Sequence, residues 1–153
     1  MLERFETFTV LINRISRNIR KIKNQEMADY HLRSAHVSCL YYLYISKGAT
    51  ATELCERCEE DKATISRALV YLEENGYIDC QSQTAKRYKS KLLLTEKGFE
   101  AGKKITDKID RVLADISDGL SEEERVAFYR SLAVISESLE AVSQKSESKE
   151  SIT

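Results

Sequence analysis

The chain has 153 residues and a net charge of -1, with 24 Lys and Arg against 25 Asp and Glu; this is room for one domain of ordinary composition and excludes a uniformly basic, histone-like binder. Proline is absent and glycine occurs 5 times, which excludes collagen-like, Pro-rich and loop-dominated disulfide chains and favours long helices joined by short turns. The longest run without Lys, Arg, Asp or Glu, Ser34 to Ser46, is 13 residues, short of the roughly 18 that cross a bilayer.

The N-terminus carries Glu3, Arg4 and Glu6 and no apolar leader. The expected location is therefore the cytoplasm, where Cys39, Cys55, Cys58 and Cys80 stay reduced. Phe5, Phe8, Ile12, Ile15, Ile19 and Ile22 recur at steps of three and four. That spacing predicts a helix over residues 2–22 with one narrow apolar seam. Arg14, Arg17 and Lys21 lie on another face and read as solvated. A second helix covers residues 32–46 through Leu32, His36, Leu40, Leu43 and Tyr44, with Lys47-Gly48 as its stop. Thr52 is placed to cap a third helix running through Cys58.

Asp61, a good N-cap, opens a fourth helix from Lys62 to Asn75. Its inward set is Ile65, Ala68, Leu69 and Leu72, and Gly76 takes the left-handed position after it. Tyr77–Cys80 and Tyr88–Leu94 read as strands around the polar tip Gln81–Arg87, a hairpin whose loop is long enough to project. Thr95 caps a helix of about 23 residues, striped by Ile105, Ile109, Val112, Leu113 and Ile116 and broken at Asp118-Gly119. Ser121-Glu122-Glu123-Glu124 is a capping box for a last helix carrying Val126, Phe128, Leu132, Ile135, Leu139 and Val142. From Ser143 the chain is too polar to order itself, so 143–153 is expected as a disordered tail.

Helices followed by a two-stranded hairpin, between Thr52 and Leu94, describe a winged helix-turn-helix. The expected fold class is mainly α with a small β-hairpin wing (α+β). Such a unit lays its second helix in the DNA major groove while the wing touches the neighbouring backbone or minor groove. With Ile65, Leu69 and Leu72 inward, Ala63, Arg67 and Val70 face outward, flanked by Ser66 and Tyr71. Lys62 and Thr64 occupy the first turn, where backbone N–H groups favour a phosphate. Arg67 is the candidate base reader, because its guanidinium can hold guanine O6 and N7 together, and Val70 suits a thymine methyl. Thr52, Lys86, Arg87 and Lys89 complete the candidate DNA contacts. Glu56, Glu59, Glu60 and Asp61 crowd the turn and would repel phosphates if they faced them.

These segments resemble the MarR family of transcriptional regulators. The resemblance is carried by Ala51-Thr-Glu-Leu-Cys-Glu-Arg-Cys58, by Asp61-Lys-Ala-Thr-Ile-Ser-Arg-Ala-Leu-Val-Tyr-Leu-Glu-Glu-Asn-Gly-Tyr-Ile78, by Leu94-Thr-Glu-Lys-Gly98 and by Leu120-Ser-Glu-Glu-Glu124. It implies a single domain over 1–142, with the winged helix at about 33–94 and dimerisation helices at about 2–24 and 96–142. It further implies a homodimer on a pseudo-palindromic double-stranded DNA operator. Repression of a nearby operon would be released by a small-molecule effector, often phenolic, held between the dimerisation helices and the winged helix. No cofactor is implied. The family's wing often carries Asp-Xaa-Arg where this chain has Lys86-Arg87-Tyr88, and its turn often has Gly where this chain has Glu59.

Other features admit two uses. Cys55-Glu-Arg-Cys58 falls where the resemblance places core residues, and it is also a CxxC that could sense oxidants. His31 and His36 are five apart, with Glu26, Asp29 and Cys39 as conceivable metal partners but too few ligands at helical spacing. Tyr41, Tyr42 and Tyr44 suit a ligand crevice or a dimer core. No catalytic constellation is present, so an enzyme is not expected. Two rivals remain: a winged-helix module that binds protein instead of DNA, and a thiol- or metal-responsive regulator of the same fold.

Overall fold

The computed structural model describes residues 2–80, 90–117 and 119–150. The described elements are helices α1 (Leu2–Glu26), α2 (Ser34–Ser46), α3 (Ala51–Cys58) and α4 (Lys62–Glu74), strands β1 (Ile78–Cys80) and β2 (Leu92–Leu94), and helices α5 (Glu96–Ser117) and α6 (Glu122–Glu150). A 3₁₀ turn, Ala28–Tyr30, separates α1 from α2. The chain forms two compact units that divide after Ile109.

The first unit is organised around α2. This helix has no charged side chain, and Val37, Ser38, Cys39, Leu40 and Leu43 are buried along it. It packs against α1, α3, α4 and β2. Met27, Leu32, Leu40, Leu43, Leu54, Ile65, Leu72 and Ile105 are the large side chains sealed in the resulting core. Removing one such leucine to alanine typically costs about 2–5 kcal/mol. The end of α1 is tied to α5 by the Lys108–Glu26 ion pair at 3.0 Å.

Local chemistry fixes most element ends. Lys47 (φ 52) and Gly48 (φ 105) stop α2 in the left-handed region, and Gly76 (φ 72) follows α4, as the sequence predicts. Asp61 caps α4 through Thr64 N at 2.8 Å. Thr95 Oγ1 accepts Gly98 N at 3.1 Å at the start of α5. In the second unit, Ser121 N donates to Glu124 Oε2 at 2.8 Å and Glu124 N to Ser121 Oγ at 3.3 Å, which closes the expected box ahead of α6.

Four expectations are corrected. Helix α2 begins at Ser34, because His31 is left-handed (φ 56) and Leu32 plugs the core ahead of the helix. The cap of α3 is Thr50 and not Thr52. Thr50 is extended and accepts Glu53 N at 3.2 Å, while Glu53 Oε2 accepts Thr50 N at 2.7 Å. The second strand starts at Leu92, with Ser90 and Lys91 outside it. Finally, α6 is helical backbone as far as Glu150, past the Ser143 boundary set for a disordered tail. Gln, Lys and Glu are good helix formers, and no Pro or Gly interrupts them there.

The hairpin pairs antiparallel in the register Ile78↔Leu94, Asp79↔Leu93 and Cys80↔Leu92. Leu92 also bridges to Ala49: Leu92 N donates to Ala49 O at 2.9 Å and Ala49 N to Leu92 O at 3.3 Å. The base of the hairpin is thus held by the segment that leads into α3.

Gly98 explains itself through packing. A Cβ built there would lie 1.9 Å from Tyr77 O and 3.1 Å from a Leu94 methyl. Helix α5 can lie this close to the hairpin only without a side chain at that point. Gly98→Ala is expected to lower stability by about 1–3 kcal/mol, as overpacking does. Gly119→Ala, with nothing within 4 Å, is expected to stay within about 0.5 kcal/mol. Urea midpoints of the two variants check this, and equal midpoints would refute the close-approach argument.

Candidate nucleic-acid interface

Helix α4 buries Ile65, Ala68 and Leu72 and leaves Lys62, Ala63, Arg67 and Val70 in solvent. This is the face that its periodicity predicts. Thr64, Ser66 and Tyr71 are half-buried at its flanks.

Asp61, Thr64 and Arg67 are one turn apart and hydrogen-bonded in series. Thr64 Oγ1 donates to Asp61 Oδ2 at 2.7 Å, and Arg67 Nη2 donates to Thr64 Oγ1 at 3.1 Å. The bonds from the Thr64 hydroxyl and backbone hold the Asp61 carboxyl below its usual range, so it stays ionised as a cap. The series also tethers the guanidinium at one corner and leaves most of its five N–H donors for a partner. Asp61, one of the four acids at the turn, thereby orients the cation through Thr64. Glu60 turns toward α1, where its carboxylate lies 3.8 Å from Arg20.

Tyr71 sits differently from its neighbours on α4. Its ring stacks on His36 with centroids 4.3 Å apart and planes 5° apart. Its hydroxyl donates to His31 O at 3.0 Å. Tyr71 therefore clamps α4 to the start of α2. His36 is fixed from the other side, because Arg33 N donates to its Nδ1 at 3.1 Å. That bond requires an unprotonated Nδ1. Burial, and next the nearby Arg33 charge, push the His36 pKa down and keep the ring neutral.

Ser66 and Val70 line a cleft of about 120 Å³ together with Ala51, Leu69, Glu73, Ile78 and Leu92. Drug-sized ligands need roughly 300 Å³ or more. Thr52 is exposed in the first turn of α3. Lys86, Arg87 and Lys89 lie outside the described residues.

The remaining candidates fall into the first unit's packing. Tyr44 packs its ring against Phe99 at 5.1 Å and over Gly102 of α5, and Tyr41 meets Tyr42 edge-on at 5.2 Å. Cys39 is sealed in the core, and Cys55 and Cys58 are partly buried against it. Among the described residues, no three His, Cys, Asp or Glu side chains gather into a group that could hold a metal ion. Among the same residues, no helix is long and apolar enough to cross a membrane. Sequence reasoning missed Thr50 as a cap and Tyr71 as a clamp. The Thr50-Ala51-Thr52-Glu53 spacing was a readable capping signal. Nothing local signals the Tyr71–His36 stack, which joins residues from separate helices.

Residues 32–87 match the MarR family profile. None of the curated proteins matches the chain significantly. Among solved structures, the chain is similar to the MarR family regulator NMB1585 of Neisseria meningitidis, with TM-score 0.79 and 20% identity over 93% of this chain and 97% of that one. It is similar to Staphylococcus aureus MepR in complex with DNA, with TM-score 0.76 and 23% identity over 86% and 97% of the two chains. It is also similar to Staphylococcus aureus MarR in complex with salicylate and kanamycin, with TM-score 0.77 and 19% identity over 90% and 93%. These likenesses establish the winged-helix fold.

The lowered His36 pKa has a definite sign. The folded state binds this proton less readily than the unfolded chain, so its contribution is complete above the unfolded value of about 6.5 and is lost as pH falls below it. Urea midpoints measured between about pH 7 and about pH 5 are expected to fall with pH, and His36→Gln to flatten that fall. Equal slopes in the two proteins would remove His36 from the account. The depressed carboxyls of Asp61, Glu53 and Glu124 act in a separate, more acidic window.

Proposed function

Starting from its MarR-type winged helix, we propose that this chain is a sequence-specific DNA-binding transcriptional regulator. It acts as a homodimer on a pseudo-palindromic operator, represses a nearby operon and is released by a small-molecule effector. The observation that carries this reading is the outer face of α4, where Arg67 is exposed and oriented through Thr64 and Asp61. Lys62, Ala63, Thr64, Ser66, Arg67 and Val70 face or border the major groove, and Thr52 with the wing residues Lys86, Arg87 and Lys89 meets the backbone beside it. Tyr71 acts in this scheme by holding α4 at its angle to α2.

Dimerisation is supported by the apolar side chains that the single chain leaves in solvent. Ile15 and Ile19 of α1 are 48% and 49% exposed, and Val126 and Leu139 of α6 are 51% and 56% exposed. Apolar stripes of that length on two helices call for a partner, and a two-fold copy of the same chain supplies a self-complementary one. Two copies would present two α4 helices to half-sites about one helical turn of DNA apart. Release by an effector is supported by the similar Staphylococcus aureus protein that holds salicylate and kanamycin.

Selection from random duplexes followed by gel shifts across a salt series tests the reading, and a dimer complex on a two-fold site is expected. Duplex binding that is absent at every salt concentration would favour the rival protein-binding module. On the selected site, Arg67→Ala is expected to weaken binding by about 1–3 kcal/mol and to relax preference at one base pair in each half-site. An unchanged base-substitution series would remove Arg67 as a reader. Replacing Lys86, Arg87 and Lys89 with Gln is expected to flatten the log–log salt dependence by about 0.9 for each phosphate that is no longer neutralised. An unaltered slope would take the wing tip off the backbone.

A further inference from the structure

The second half of α1 concentrates positive charge. From Asn13 to Gln25 it carries Arg14, Arg17, Arg20, Lys21 and Lys23 and no acid. Lys23 turns inward and donates from Nζ to Ser38 Oγ at 2.9 Å, and Arg20 lies 3.8 Å from Glu60. Arg17 and Lys21 are exposed and pair with no acid among the described residues. They open onto two shallow clefts of about 490 Å³ each that join end to end. Arg17, Arg20 and Lys21 line the first, His31 and Arg33 line the second, and Asn24 and Ala28 line both. Asn24 Oδ1 accepts Ser34 N at 2.7 Å, which fixes α1 to the start of α2 and holds the two halves in line. Glu26 is drawn to Lys108 of α5 at 3.0 Å, so Asp29 is the one acid left between α1 and α2.

This groove borders α4 at two places. Glu60, beside Arg20, stands two residues ahead of the start of α4. Further along, Thr64, Arg67 and Tyr71 stand three and four residues apart and so share one stripe of the helix. The Tyr71 hydroxyl donates to His31 O at 3.0 Å, so the stripe that carries Arg67 runs into the groove at His31. On α1, at about 100° per residue, Arg17, Lys21 and Asn24 point away from the seam of Ile12, Ile15 and Ile19. A second copy seated on that seam leaves the groove open.

We propose, on the footing of the operator reading above, that the groove along α1 and the start of α2 seats the phosphate backbone of duplex DNA beside the major groove that α4 enters. Arg17, Lys21 and Arg33 supply the charge. The span from Arg17 to Asn24 is about 10 Å at about 1.5 Å per residue. One strand carries a phosphate for about every 3.4 Å of duplex axis, so the span matches about three of them. Guanidinium groups hold phosphate oxygens through paired N–H donors. The Asn24 oxygen is spent on Ser34 N, which leaves its amide N–H donors for a phosphate oxygen. A small anion needs enclosing walls, whereas Arg17, Arg20, Lys21, Asn24, His31 and Arg33 are all exposed, as suits a backbone lying across the surface. Contacts of this kind position the protein on the duplex and read no bases.

The test uses the full chain on the duplex selected from random sequences. Arg17→Gln, Lys21→Gln and Arg33→Gln are combined, and Arg20 keeps its ion pair. The triple variant is expected to bind the selected site and its single-base variants more weakly by one common factor, and to flatten the log–log salt slope by about 0.9 per phosphate released, about 2.7 for three. Ethylating backbone phosphates one at a time is expected to impair wild-type binding at positions where it no longer impairs the triple variant. Lys103→Gln, which removes an exposed cation of α5, is the charge control and is expected to leave the slope and the ethylation map unchanged. If the triple variant folds poorly, Arg17→Gln alone carries the test through the loss of its own ethylation position. The proposal is overturned if the variant's ethylation map matches the wild type, or if Lys103→Gln flattens the slope as much for each charge removed. Wild-type protein that binds no duplex at any salt concentration overturns the operator reading and this contact with it, a result distinct from a wild-type complex that is insensitive to the groove.

Discussion

The arrangement depends on one constraint: α2 is a helix without a charge on any face. A helix of this kind has little to offer water, so other elements must cover most of it, and of its large apolar residues Ile45 alone is left about half exposed. The end of α1, helices α3 and α4, and strand β2 provide that cover. Helices α3 and α4 turn buried apolar residues inward, Leu54 on α3 and Ile65, Ala68 and Leu72 on α4, which determines by elimination the face each shows to solvent. On α4 the burial of Ile65, Ala68 and Leu72 leaves Lys62, Ala63, Arg67 and Val70 outside. The candidate DNA-reading surface is therefore a consequence of how the uncharged helix is covered.

The polar links that refine the site also converge on α2. His36 in its first turn receives Arg33 N and stacks on Tyr71, so the angle between the two helices is held by an aromatic contact as well as by apolar packing. Two residues further on, Ser38 receives Lys23 of α1 at 2.9 Å. These contacts join α2 to α4 and to α1. Interiors this closely packed pass small displacements on to their neighbours.

The outer stripes of α1 and α6 follow the opposite logic. Their apolar residues recur with helical period, yet Ile15, Ile19, Val126 and Leu139 stay about half exposed in the single chain. Burying a side chain of that size is worth about 1.5–3 kcal/mol. Covering them with a second copy would gain many such increments together, which is the ground on which a homodimer is proposed.

The sequence by itself determined the helices, their order and most of their ends, because these rest on interactions within a few residues: Asp61 and Thr95 as caps, the Ser121–Glu124 box, and the stops at Lys47-Gly48 and Gly76. It also determined which face of α4 is outward, since a period of 3.6 residues with Ile65, Ala68 and Leu72 inward admits one answer. It left undecided what is made by residues remote along the chain: the Ala49–Leu92 bridge, the approach of Gly98 to Tyr77, and the Tyr71 stack on His36. Only the tertiary structure decided these. A local pattern states which side of a helix is apolar, but which partner meets that side, and at what distance, is settled when all the elements pack at once.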